Sequence, residues 1–131
     1  MIKNIDEIEL AEESRIIFPL IEEAIKAADP QPKLLSIAEF LKDSIKGRKI
    51  TIAAGKAAPR MFDPFRKISD VSFAVSNVKI DGGLEAGHPF PDYNSYEAAR
   101  IISGLLKNAG PEDTVIFLIS GGASALIGDY A

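Results

Sequence analysis

Apolar residues recur at helical spacing in the first third of the chain. Within residues 6–28, five of them share one helix face: Ile17, Leu20, Ile21, Ala24 and Ala28. Pro19 lies inside this pattern and should kink the helix or start a second one. A second helix is predicted from the spacing between Leu34 and Ile45, and Gly47 should end it.

Short apolar runs after these helices predict strands. Three of them are bounded by turn-forming residues: Lys49–Ala54, Val71–Ser76 and Thr114–Ile119. Two weaker extended pieces, Val78–Ile80 and Leu84–Ala86, flank Gly82 and Gly83.

Helical patterns separate the predicted strands. The segment AAPRMFDPFRKI predicts a short helix broken by Pro59 and Pro64, and the strongest helical spacing covers Ser95–Asn108. Asn94 and Glu97 have the spacing of a capping box for that helix. Alternating strands and helices predict an α/β fold: a Rossmann-like three-layer parallel sheet with helices on both faces.

The last predicted strand lacks the elements that should cover it. A helix begins near Ala123, but the sequence ends at Ala131. A strand buried on both faces needs a covering helix and usually a neighbouring strand. We therefore expect residues 1–131 to be a single, partial α/β domain.

Composition narrows the class of protein. The net charge of −4 argues against nucleic-acid binding and against polybasic docking on a membrane. With no cysteine and one histidine, disulfide frameworks, thiol nucleophiles and multi-histidine metal sites are excluded. The amino terminus is too charged for a signal peptide, and no apolar stretch approaches the ~18 residues of a membrane span. We expect a cytoplasmic protein without membrane or nucleic-acid partners.

Candidate binding residues follow two of the predicted strands. Ligands bind at the carboxyl ends of strands in parallel sheets. Lys56 follows the first strand directly after Gly55, and could bind an anion or be an ordinary solvated lysine. The turn at residues 120–124 could cradle a phosphate or carboxylate, or simply connect a strand tightly to a helix.

The segment GHPFPD at residues 87–92 predicts a stiff loop, because two prolines restrict it. A histidine, His88, beside a carboxylate, Asp92, suits substrate orientation or proton transfer. Alternatively, the loop is a rigid connector in which Asp92 or Asn94 caps the next helix. The sequence has neither a serine-hydrolase elbow nor a G-x-G-x-x-G dinucleotide fingerprint.

Three segments in series resemble the amino-terminal part of the glycerate 2-kinases, whose bacterial members are often labelled hydroxypyruvate reductases. They are AAGKAAPRM at 53–61, EAGHPFPDYNS at 85–95 and LISGGASALI at 118–127. The resemblance covers nearly all of the chain. It implies a two-domain α/β enzyme with its active site between the domains. Such enzymes transfer the γ-phosphoryl group of ATP to the 2-hydroxyl of D-glycerate with Mg²⁺, and by this resemblance we expect residues 1–131 to lack the carboxyl-terminal domain.

The resemblance also implies roles for matching residues. Lys56 would be catalytic, beside the transferring phosphoryl group. The substrate-binding residues would be Gly55, His88, Asp92 and Ser95. The phosphate-binding turn would consist of Ser120, Gly121, Gly122 and Ser124. No metal ligand is assigned.

Two alternatives to a glycerate kinase stay open. The chain could be a non-catalytic remnant that self-associates through its unfinished sheet, or it could pair with a separate chain that supplies the missing portion. A hydroxypyruvate oxidoreductase is disfavoured, because the dinucleotide fingerprint is absent.

Overall fold

The computed structural model describes residues 14–128 of the chain. The helices in this range are α1 (Ser14–Ala27), α2 (Gln31–Ser44), α3 (Ala58–Arg66), α4 (Tyr93–Lys107) and α5 (Ala123–Leu126). The strands are β1 (Lys49–Ala54), β2 (Val71–Ser76), β3 (Gly83–Glu85) and β4 (Thr114–Ile119).

The four strands form one parallel sheet in the order β3-β2-β1-β4. In the centre of the sheet, Ile52 pairs with Phe73 on one side and with Phe117 on the other. Because all pairs are parallel, every strand ends at the same edge of the sheet, which we call the carboxyl edge. The predicted α/β class with a parallel sheet is confirmed.

The sheet is packed on both faces, as its apolar strands predict. One core joins strand residues such as Ile52 and Val75 to Ile102 of α4 and Leu126 of α5. The other core lies against α2 and α3 and is built from Ala38, Ala53, Ala58, Met61, Phe62, Phe65, Ala74 and Leu118. Helices on both faces give the predicted three layers.

Several predicted helix boundaries are wrong. Pro19 neither ends nor restarts α1, which runs through it. α3 is likewise one helix: Pro59 lies in its first turn, where no backbone donor is needed, and Pro64 is accommodated inside it. α2 ends before Gly47, because the backbone is already extended at Ile45. The part of the first predicted helix before Ser14 lies outside the described residues.

The predicted strand boundaries agree with the structure more closely than the predicted helix boundaries. The three main strands have the predicted bounds, and the weaker piece near Leu84 corresponds to β3. Val78–Ile80 is not a strand; it belongs to the connection between β2 and β3. Of the helices within residues 14–128, none combines the length and apolar character needed to cross a membrane.

Candidate functional site

The segments that follow β1 and β4 are hydrogen-bonded to each other at the carboxyl edge. The Ser120 N–H donates to the Ala54 carbonyl oxygen at 2.9 Å, and the Lys56 N–H donates to the Gly121 carbonyl oxygen at 3.0 Å. The Ala57 N–H donates to Ser120 Oγ, also at 3.0 Å. Two of the three predicted site segments are therefore one connected unit.

Gly55 permits this close contact between the two segments. Its φ of +125° lies in the region that favours glycine. A Cβ built on Gly55 would overlap Ser120 Oγ and would lie 2.7 Å from the Ser120 carbonyl oxygen. Residue 55 must therefore be glycine for Ser120 to occupy this place.

The loop containing His88 joins the same site. Gly122 has a φ of +90°, and a Cβ built on it would lie 2.9 Å from His88 Cδ2 and 3.5 Å from Lys56 Cγ. The imidazole and the lysine stem thus both pack against this glycine. His88 and Lys56 are exposed, so a ligand can reach both side chains. The structure places all three predicted segments together.

Asp92 and Ser95 have a local structural role beside this site. Asp92 is the N-cap of α4: Oδ1 accepts the Ser95 N–H at 2.9 Å, and the Asp92 N–H donates to Ser95 Oγ at 3.1 Å. Hydrogen bonds from the Gly87 and Ser95 N–H groups hold the pKa of the Asp92 carboxyl below its ordinary value. The Ser95 side chain is fully buried. Contact of Asp92 and Ser95 with substrate stays a prediction.

The predicted capping box between Asn94 and Glu97 is wrong. α4 begins at Tyr93 and its cap is Asp92, two residues before Asn94, which confirms the alternative in which Asp92 caps this helix. Asn94 instead donates its side-chain amide to the Glu85 carbonyl oxygen at 2.8 Å, and Glu97 pairs with Arg100 at 2.8 Å. Both side chains are engaged elsewhere.

Gly87 is a contributor that the sequence analysis did not single out. Its N–H bonds the Asp92 carboxylate and thereby closes the loop that carries His88. The one available signal was its position immediately before the His-Pro pair, which alone does not predict the hydrogen bond.

The turn at residues 120–124 has unused hydrogen-bond donors. Within residues 14–128, the N–H groups of Gly121, Gly122, Ala123 and Ser124 have no acceptor. By contrast, Gly55 to Ala58 donate all four of their N–H groups. The hydrogen-bond donors that this edge offers are therefore the turn backbone, the Ser124 hydroxyl and the Lys56 ammonium group, and binding of an anion by them stays a prediction.

The described residues contain no group of three His, Asp or Glu side chains that could hold a metal ion. Two surface hollows lie away from the carboxyl edge, one along α4 between Tyr96 and Lys107 and one beside Asp29 and Arg60.

Comparison with known proteins identifies the family. Residues 17–129 match the sequence profile of the family described as "Domain of unknown function (DUF4147)". The chain belongs to this family.

Two named proteins are similar to this chain in sequence. The "Glycerate 2-kinase" of Pyrococcus horikoshii is 39% identical over 124 residues, which cover 82% of this chain and 28% of that protein. A protein from Agrobacterium vitis, provisionally named a hydroxypyruvate reductase, is 30% identical over 123 residues, covering 86% and 27%. The resemblance to the glycerate 2-kinase family is thus confirmed.

A solved structure is similar in fold to this chain. The crystal structure of the PH0495 protein from Pyrococcus horikoshii OT3 superposes with a TM-score of 0.61 at 32% identity. The match covers 91% of this chain and 31% of that one. The chain therefore spans less than a third of the length of these three proteins.

Proposed function

We propose that this chain forms the phosphate-binding side of a kinase site that phosphorylates D-glycerate at its 2-hydroxyl with ATP. The convergence of Lys56, His88 and the 120–124 turn on the carboxyl edge carries the proposal. The name of the Pyrococcus relative supports the same reaction. The product would be 2-phosphoglycerate.

The reaction places clear demands on the phosphate side. The 2-hydroxyl oxygen of glycerate bonds to the γ-phosphorus, and the bond from phosphorus to the β–γ bridging oxygen breaks with its electron pair leaving on ADP. Charge on the moving phosphoryl group needs cations and donors. Lys56 would stabilise that charge, while Gly121, Gly122 and Ser124 would donate to phosphate oxygens, with Ser120 completing the turn.

The loop at residues 87–92 would form the substrate side. The exposed imidazole of His88 would orient glycerate or accept the proton of its 2-hydroxyl. Gly55 would contribute to the substrate side indirectly, by leaving room for the Ser120 side chain next to Lys56. Asp92 and Ser95 would serve the site by holding the loop closed through their capping box.

Magnesium enters this proposal with ATP, whose phosphate oxygens commonly supply several of its ligands. The described residues hold no three-ligand cluster, and we assign no magnesium ligand among them.

We further propose that residues 1–131 represent one partial α/β domain of a two-domain cytoplasmic enzyme. The relatives are more than three times longer than the matched stretch, which supports this organisation. Polypeptide equivalent to their additional length would complete the cleft over the carboxyl edge.

Phosphorus NMR on the chain with MgATP and D-glycerate tests the function. We expect ATP to bind and Lys56→Ala to weaken binding about tenfold, since a charge-assisted hydrogen bond is lost. Lys67→Ala is the matched control, because this exposed lysine lies between α3 and β2, away from the carboxyl edge. Appearance of 2-phosphoglycerate would establish the full reaction. Absence of ATP binding would refute the proposal, and NADH consumption with hydroxypyruvate would favour an oxidoreductase.

Association through β4 is a second candidate function. β4 is an edge strand, and its Phe117 and Ile119 side chains are 45% and 67% exposed. A free edge with apolar side chains can pair with a second copy or with a separate chain that supplies the remaining portion. Light scattering after size exclusion should show concentration-dependent oligomers that Ile119→Lys abolishes; a monomer at all concentrations argues against self-association.

A further inference from the structure

We propose that Ser120 is a positioning residue that acts through Lys56, and not a phosphate ligand as the family resemblance implies. This inference rests on the proposed function, because it assigns Lys56 to the phosphate side of the site. The inference goes beyond the proposed function because it gives Ser120 no direct contact with the ligand.

Two hydrogen bonds to the residues that follow β4 hold the backbone on both sides of Lys56. The Lys56 N–H donates to the Gly121 carbonyl oxygen, and the next N–H, of Ala57, donates to Ser120 Oγ, both at 3.0 Å. The peptide groups on both sides of the Lys56 Cα are therefore held by residues 120 and 121. This fixes the direction in which the lysine side chain leaves the backbone.

The two carbonyl oxygens that join the ends of β1 and β4 already accept other N–H groups. The Ala54 carbonyl oxygen already accepts the Ser120 N–H, and the Gly121 carbonyl oxygen accepts the Lys56 N–H. The side chain of Ser120 also fills the space above Gly55, where a Cβ would overlap it. Removal of the hydroxyl would leave both an unbonded Ala57 N–H and an unfilled space beside Gly55.

The backbone position of Lys56 matters because its ammonium group forms no hydrogen bond or ion pair within residues 14–128. The side chain is exposed, and its Cγ packs against Gly122. A long flexible ammonium side chain reaches one place reliably only if its root is fixed. Ser120 supplies that restraint from the neighbouring strand.

Amide hydrogen exchange tests the positioning role without any ligand. Ser120→Ala should lower the melting temperature, speed exchange of the Ala57 amide about fivefold and shift the Lys56 amide resonance. Ser103→Ala, at an exposed serine of α4, is the control and should leave both amides unchanged. Ser120→Thr keeps the hydroxyl oxygen and should retain slow exchange. An Ala57 amide equally protected in Ser120→Ala would overturn the proposal.

A double-mutant cycle with MgATP separates positioning from direct contact. Ser120→Ala should weaken ATP binding about threefold in the wild-type chain and have almost no effect in the Lys56→Ala background. An equal loss in both backgrounds would make Ser120 a direct ligand and overturn the proposal. If the wild-type chain binds no ATP, the proposed function fails, and the exchange experiment alone decides the role of Ser120.

Discussion

Replacement of Gly55 by alanine should disrupt the site by separating the two segments that form it. The added Cβ would overlap Ser120 Oγ and lie 2.7 Å from the Ser120 carbonyl oxygen and 2.8 Å from its carbon. Two of these atoms belong to the backbone, so a side-chain rotation cannot relieve the overlap. The β4 end must shift, and the hydrogen bond from the Ala57 N–H to Ser120 would break.

Two contributions set the size of the effect. A non-glycine residue at a φ of +125° carries strain of about 1–3 kcal/mol. An Ala57 N–H left without an acceptor costs about 1–3 kcal/mol more. Reduced freedom of the unfolded chain returns about 0.4–1 kcal/mol. The free energy of unfolding should therefore fall by about 1–5.6 kcal/mol, a large share of the roughly 5–15 kcal/mol of a typical domain.

Urea unfolding followed by circular dichroism measures this loss. With a slope of about 2 kcal/mol per M urea, the midpoint should fall by about 0.5–2.8 M. Gly121→Ala is the matched control at the same edge, because a Cβ there meets no atom within 4 Å. A Gly55→Ala midpoint equal to that of Gly121→Ala would refute the steric reasoning.

Three further predictions concern stability away from the β1–β4 contact. Among the described residues, Ser76 Oγ is buried without a hydrogen-bond partner, whereas buried Ser95 bonds Asp92. Thermal melting should show Ser76→Ala stabilising and Ser95→Ala destabilising by about 1 kcal/mol each, and a reversed order would contradict this. Gly104→Ala in α4 should raise the free energy of unfolding by about 0.5–1 kcal/mol, because the added Cβ meets nothing within 4 Å. Urea unfolding measures this change, and a lower free energy of unfolding would contradict the prediction. Because the folded pKa of Asp92 is lowered by hydrogen bonds from Gly87 and Ser95, its contribution is present above the ordinary carboxyl pKa of 3.8 and lost as pH falls through the folded value. Asp92→Asn should flatten urea midpoints measured from pH 6 to pH 2, and an unchanged pH profile would exclude this contribution.

Local sequence pattern was sufficient for the strands and for the sheet. β1, β2 and β4 are short apolar runs bounded by turn residues, and burial on both faces requires that pattern. The prolines were less reliable for predicting where a helix breaks. Pro59 breaks nothing because the first turn of a helix needs no backbone donor at that position.

The internal contacts of the site depend on packing that no local pattern encodes. Asn94 and Glu97 have the spacing of a capping box, yet the Glu85 carbonyl oxygen and Arg100 engage them. The motifs around Lys56 and His88 identified candidate residues, but their meeting at Gly122 depends on the paths of two separate loops. The hydrogen bond between Ala57 and Ser120 likewise spans 63 positions in the sequence.

The placement of β4 beside β1 has a consequence for the order of folding. β1 pairs with β2 within a short loop of chain, whereas its pairing with β4 requires a strand that begins at Thr114. Contacts between residues so distant in sequence form late, because a long loop must close first. During synthesis on the ribosome, Lys56 would emerge well before Ser120 and Gly121 and could not be held in place. The carboxyl edge around Lys56 is therefore expected to be among the last parts of this chain to mature.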